Sequence, residues 1–188
     1  MFQKSKLKNK IILVGIPGCG KTTLGAGLAE KLKLPFYDTD QIMIDEGKLG
    51  RPYDFFRIAW NGQFIEMQKK IITKLSKERK AAVISTGAEV ALIAECADLM
   101  KEMGIIIHIQ RDPQTVYKDL IDGKKNTMQL YINGEKVDRH KELINEYMKD
   151  FECYVKLADL ILDNNGSEEE GVEGLIKLLD KNKKRTLH

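Results

Sequence analysis

The chain has 188 residues, 43% hydrophobic and 31% charged, which supports one good core and is too short for two ordinary domains. Its 31 basic and 28 acidic side chains leave a net charge of +3, a balance that excludes a strong global field for nucleic acid or membranes and leaves small anions as the expected partners. No stretch reaches the roughly 18 to 20 apolar residues of a membrane span, and Cys19, Cys96 and Cys153 are isolated from each other and from any histidine cluster, which excludes a disulfide framework and a zinc site.

Lys4, Lys6, Lys8 and Lys10 precede an apolar run that begins Ile11-Ile12-Leu13-Val14. At about six residues the run is shorter than the roughly 7 to 15 of a signal peptide. A monomer in a reducing cytoplasm is the expectation. The run reads as a buried strand, and it enters Gly15-Ile16-Pro17-Gly18-Cys19-Gly20-Lys21-Thr22, a complete phosphate-binding loop placed where such a loop works, between a strand and the amphipathic helix Leu24 to Leu32. Gly15, Gly18 and Gly20 let the backbone approach phosphates, Lys21 bridges the terminal phosphates, and the Thr22 hydroxyl suits Mg2+, with Thr23 beside it. Cys19 sits inside the loop as a bystander thiol. The chain is therefore expected to bind a nucleoside triphosphate. The Asn-Lys-x-Asp motif of small GTPases is absent, and the size suits a small-molecule or nucleotide kinase.

A second short strand, Phe36-Tyr37, leads to Asp38 and Asp40, which strand alternation would place on one side, facing the loop. In-line phosphoryl transfer uses one carboxylate near the metal and one near the acceptor hydroxyl; helix-capping acids are the plain alternative. Phe55, Phe56, Trp60 and Phe64 follow, able to floor a pocket or to pack a core. Ala82 to Ile84 and Ile105 to Ile109 read as further strands, the latter with His108 as a structural residue. Asp112-Pro113 reads as a cap and first residue of a helix near 113 to 121. Residues 122–138 have weak periodicity and read as a long loop, of the length of a functional lid, before a helix near 138 to 155. Leu160 to Leu162 is the last strand, and Ser167 with Glu170 forms a capping box. Strands alternating with helices imply a mainly parallel sheet covered on both faces, with ligands at the carboxyl ends of its strands.

The motif Gly-x-x-Gly-x-Gly-Lys-Thr-Thr, the helix after it, Asp38-Thr39-Asp40 and the strand end Ile84-Ser85-Thr86-Gly87 together resemble the shikimate kinase family, over roughly residues 10–180. The resemblance implies an α/β P-loop kinase fold with a five-stranded parallel sheet, a mobile lid at 122–138 and acceptor-binding helices at 40–80. It also implies an ATP- and Mg2+-dependent transfer of the γ-phosphoryl group to a hydroxyl of a small metabolite. Thr22 and Asp38 would hold the metal, Lys21 would neutralise developing charge, and Asp40 would bind the acceptor hydroxyl and act as its base. Gly87, Ala88 and Phe64 would line the acceptor, Lys124 and Lys125 would reach the phosphates from the lid, and Asp163-Asn164-Asn165-Gly166 would lie near the adenine.

The departures from the family pattern all fall on the acceptor side. Ile65 stands where an arginine is expected, Ala88-Glu89 where two further glycines are, Met128-Gln129-Leu130 where the lid has Arg-Pro-Leu, and Asp150 where an arginine precedes Tyr154. Two lost arginine contacts to one carboxylate remove about 3 to 6 kcal/mol. Lys124, Lys125, Arg139 and Lys149 can supply charge but no bidentate fork. The acceptor is accordingly expected to be shikimate or a diverged hydroxylated metabolite, with a nucleotide-binding regulator or a nucleoside kinase as alternatives.

Overall fold

The structure is a computed structural model that describes residues 9–46, 62–122, 129–132, 135–138, 148–149 and 151–186. Five parallel strands form the main sheet: β1 (Lys10–Val14), β2 (Phe36–Asp38), β3 (Ala82–Ser85), β4 (Gly104–Gln110) and the last strand, Leu160–Asp163. Two short strands between them, β5 (Gln129–Ile132) and β6 (Glu135–Asp138), pair only with each other and antiparallel, so the last strand is β7. The order in the main sheet is β2-β3-β1-β4-β7.

β1 is central because every one of its residues is buried and its sequence has no polar alternation, the mark of a strand covered on both faces. It pairs with β3 so that Leu13 lies opposite Ser85, and with β4 so that Val14 lies opposite His108. The chain leaves β1 towards β2 and later crosses to β4 on the opposite side, so the loop after β1 sits at a point where strand order reverses, where crevices form in open sheets. Ile12, Leu13, Val14, Ile84, Ile106 and Ile107 are fully buried in this layer.

Helices cover both faces. On one, α1 (Lys21–Leu32) packs over β3 and against the long α7 (Glu168–Thr186); the other group comprises α3 (Gly62–Lys77), α4 (Ala94–Met103) and α6 (Phe151–Leu157) around the 3-10 turn Ala88–Leu92. Two shorter helices, α2 (Thr39–Asp45) and α5 (Pro113–Asp122), begin at the carboxyl ends of β2 and β4. The expected caps are present: Asp112 Oδ2 accepts from the Thr115 amide at 2.9 Å and hydroxyl at 2.8 Å, and Ser167 and Glu170 exchange their capping-box bonds at 2.8 and 3.3 Å. Among the described residues no helix is long and apolar enough to cross a membrane.

Three local expectations change. Residues 122–138 contain the β5–β6 pair and are not a plain loop. The helix expected from 138 cannot start there, because Asp138 ends β6; α6 is described from Phe151. Asp38 and Asp40 do not share a strand face: β2 ends at Asp38, which is the N-cap of α2, and Asp40 lies in that helix's first turn. The short polar side chain of Asp38 satisfies free helix N–H groups, so the strand ends two residues before Asp40 and no alternation reaches it.

Candidate active site

The phosphate loop takes its shape from backbone that only glycine adopts readily: Gly15, Gly18 and Gly20 have φ of 147°, 76° and 98°. Gly20 begins α1, so the helix's free N–H groups open into the loop. Lys21 is 8% exposed, and its Nζ donates to the carbonyls of Gly15 at 2.8 Å and Ile16 at 2.9 Å. The ammonium therefore lies across the mouth of the loop. Thr22 and Thr23 are exposed in the first turn of α1. The Thr22 hydroxyl donates to Asp38 Oδ2 at 2.7 Å and lies 3.4 Å from Ser85 Oγ. This brings three hard oxygen groups together beside the loop, a donor set that suits Mg2+.

Asp38 links the two halves of the site. While Oδ2 takes the Thr22 hydroxyl, Oδ1 accepts the amides of Asp40 at 3.0 Å and Gln41 at 3.2 Å. Capping and site-building are thus one role. Asp40 then lies beside Gly87, at the carboxyl end of β3. Burial first, and then the charges of Asp38 and Glu89, push its carboxyl up to about 6, against the pull of Lys21 and Gln68. Gln68, a fully buried residue of α3, donates from Nε2 to Asp40 Oδ1 at 3.4 Å, and its Oε1 is buried without a partner.

Gly87 faces this carboxylate closely: a Cβ there would stand 2.5 Å from Asp40 Oδ1. The Gly87 amide donates to Thr39 Oγ1 at 2.9 Å, which ties the end of β3 to the start of α2. Ala88 is buried, and its carbonyl accepts the Tyr154 hydroxyl at 3.3 Å. Ile65 is 39% exposed on α3. Phe64 lies in the first turn of α3, with its side chain outside the described residues, as are Phe55, Phe56, Trp60, Lys124, Lys125, Arg139 and Asp150 in full. Lys149 is exposed.

On the opposite side of the loop, a cavity of about 260 Å³ opens over the end of β4, bounded by Ile16, His108, Arg111, Phe151 and Asn165. His108 stacks on Tyr154 with ring centroids 5.4 Å apart and meets Phe151 edge-on at 5.3 Å. Burial, with Lys21 adding to it, pushes His108 down to about 4, so it is neutral at physiological pH, as a packing residue should be. Two contacts here had no local sequence signal. Arg111 Nη1 donates to the Gly18 carbonyl at 3.2 Å, and Asn164 Nδ2 donates to the Cys19 carbonyl at 2.9 Å. Gln68 looks like any polar helix position in the sequence, and Ser85 stands out there only as part of the strand end Ile84-Ser85-Thr86-Gly87.

A family model described as shikimate kinase matches residues 17–180. The shikimate kinase of Enterococcus faecalis is 31% identical over 171 residues, covering 90% of this chain and 97% of that protein. That of Caldicellulosiruptor saccharolyticus is 38% identical over 139 residues, covering 74% and 78%. A structure of shikimate kinase from Acinetobacter baumannii in complex with shikimate superposes with a TM-score of 0.78 at 23% identity, covering 95% of this chain and 96% of that one.

Proposed function

The chain belongs to the shikimate kinase family, and we propose that it transfers the γ-phosphoryl group of Mg2+-ATP to a hydroxyl of a small metabolite bound beside Asp40. The observation that carries this reading is the placement of Asp40. Its carboxylate lies against Gly87, close enough to Lys21 to feel its charge and two residues beyond Asp38, which takes the Thr22 hydroxyl.

In the proposed reaction the acceptor O–H gives its proton to Asp40, a new O–P bond forms to the γ-phosphorus, and the bond from that phosphorus to the β,γ-bridging oxygen breaks, releasing ADP. Asp40 orients the hydroxyl, with Gln68 Nε2 fixing the direction of the carboxylate. Lys21 exchanges its loop carbonyls for phosphate oxygens and stabilises the charge that develops there. Thr22 and Asp38, with Ser85 behind them, would hold Mg2+, which supplies charge neutralisation of the phosphates. Residues 122–138 act as the lid, and Lys124 and Lys125 as its phosphate contacts.

Shikimate is the first acceptor to test, because it is the substrate in the names of the relatives. Among the described residues, however, α3 carries Ile65 at the position where the family pattern has an arginine, and Glu89 acts on Asp40 as a like charge. These residues favour a hydroxylated acceptor with less negative charge. The test is ADP release from Mg2+-ATP with and without saturating shikimate, then with neutral and amino polyols. Strong stimulation by shikimate is the result expected of an unaltered acceptor class. Stimulation by a neutral polyol alone moves the specificity, and nucleotide binding without any stimulation by the panel defeats the kinase reading.

A further inference from the structure

We propose that Arg111 and Asn164 are positioning residues for the phosphate loop: Asn164 holds the Cys19 carbonyl and thereby aims the Gly20 N–H towards the phosphates, while Arg111 holds the Gly18 carbonyl of the preceding peptide, whose Cys19 N–H closes the loop onto Ile16. The inference rests on the reading that the loop binds nucleotide phosphates.

A trans peptide is planar, with its C=O and N–H pointing in opposite directions, so fixing one group fixes the other. The Gly18 carbonyl and the Cys19 amide belong to one peptide. The carbonyl is taken by Arg111 Nη1 at 3.2 Å, and the Cys19 N–H points back across the loop to Ile16 O at 3.3 Å. The Cys19 carbonyl and the Gly20 amide belong to the next peptide, where Asn164 Nδ2 holds the carbonyl at 2.9 Å. Both holders reach in from outside the loop, one from the end of β4 and one from the end of β7. Two consecutive peptides are thus pinned by side chains distant in sequence.

The environment of each holder supports a role beyond packing. Arg111 is anchored at its far end by Asp119 of α5, with Nη2 to Oδ2 at 2.5 Å, while its Nε is buried with no acceptor. A buried donor without a partner destabilises a fold, so the side chain's placement follows the contacts made by its two outer nitrogens. Asn164 is 8% exposed, and its own amide is fixed to the Gln110 carbonyl at 2.8 Å, so its side chain starts from a fixed point. It also explains the glycine that follows Cys19: a Cβ on Gly20 would stand 2.6 Å from Asn164 Nδ2.

The experiment measures the affinity of the purified chain for ADP and for inorganic tripolyphosphate in Arg111→Met, Arg111→Lys and Asn164→Ala, at a temperature where each is folded. Arg111→Met and Asn164→Ala are each expected to weaken both ligands by about tenfold, the scale of one lost hydrogen bond to a well-placed group. Arg111→Lys regains part of the loss, because an ammonium can reach one carbonyl but cannot also hold Asp119. In turnover, KM for ATP rises while KM for the acceptor stays. Wild-type affinity in folded Arg111→Met and Asn164→Ala overturns the proposal. So does a loss for ADP with none for tripolyphosphate, which would make these residues nucleoside contacts. If Arg111→Met does not fold, Asn164→Ala and Arg111→Lys decide the matter. A wild-type chain that binds neither ligand would instead defeat the nucleotide reading.

Discussion

In the donor half of the site, the carbonyls of Gly15, Ile16, Gly18 and Cys19 are each held by a side chain, from Lys21, Arg111 or Asn164. In the proposed acceptor half, the side chains of Asp40, Gln68 and Glu89 gather around Gly87, and Gln68 has a buried oxygen without a partner. Phosphates present the same oxygens in every nucleotide, so a backbone cradle serves them and tolerates little change. An acceptor is read by individual side chains, each of which can be exchanged without disturbing the sheet. This explains why the motif of the loop is intact while the departures from the family pattern gather near α3, the turn after β3 and the start of α6.

The contrast can be broken most forcefully at Lys21. Lys21→Met removes the cation that meets the developing charge, and kcat is expected to fall by more than about a thousandfold with the fold intact; a loss under tenfold in steady-state turnover would sink its role. Asp40→Asn tests the opposite half: kcat should fall by about a hundredfold or more, with ADP affinity by calorimetry unchanged. A parallel loss of ADP affinity would mean that the halves are not separable. Gly87→Ala should raise the acceptor KM by roughly tenfold through crowding of Asp40, in line with the cost of a forced shift in a packed site, and should leave KM for ATP alone.

The smallest expected effect is on stability. The Asp40 carboxyl has its folded value raised to about 6 from an ordinary value of 3.8. A group raised in this way contributes stability below its unfolded value and loses it as pH rises through the folded one. At pH 7.5 in EDTA, the ionised Asp40 therefore costs the fold on the order of 1 to 3 kcal/mol. Asp40→Asn should melt a few degrees higher than the parent there, with the gap closing towards pH 4. Equal melting temperatures at pH 7.5 would show that Gln68 and Lys21 already compensate the buried charge.

Much of the fold was legible because its main strands are continuous apolar runs, which a sheet covered on both faces requires. Strand order was not, since nothing local in Ala82 to Ile84 says that it lies between β1 and β2. The β5–β6 pair carries little periodic signal because each strand is only four residues long, although Asn133-Gly134 between them is a hairpin signal. In the site, the loop and Asp38 could be read from spacing alone, although the geometry inferred for Asp38 and Asp40 gave way to a helix cap. Arg111 and Asn164 lie 93 and 145 residues from the carbonyls they hold, and contacts of that separation leave no pattern in one sequence.

The bond from Asn164 to Cys19 also bears on the order of assembly. It joins the first loop of the sheet to an edge strand that pairs only with β4, so the phosphate cradle is incomplete until β7 has docked. A chain that has formed only its first four sheet strands lacks this closure, and loop closure over such a span is slow to reward. Nucleotide, which binds the completed cradle, stabilises the docked edge by mass action. Ligand occupancy thus acts as a latch on the C-terminal strand, and protection of the β7 amides from hydrogen exchange becomes a readout of the phosphate loop at the far end of the chain.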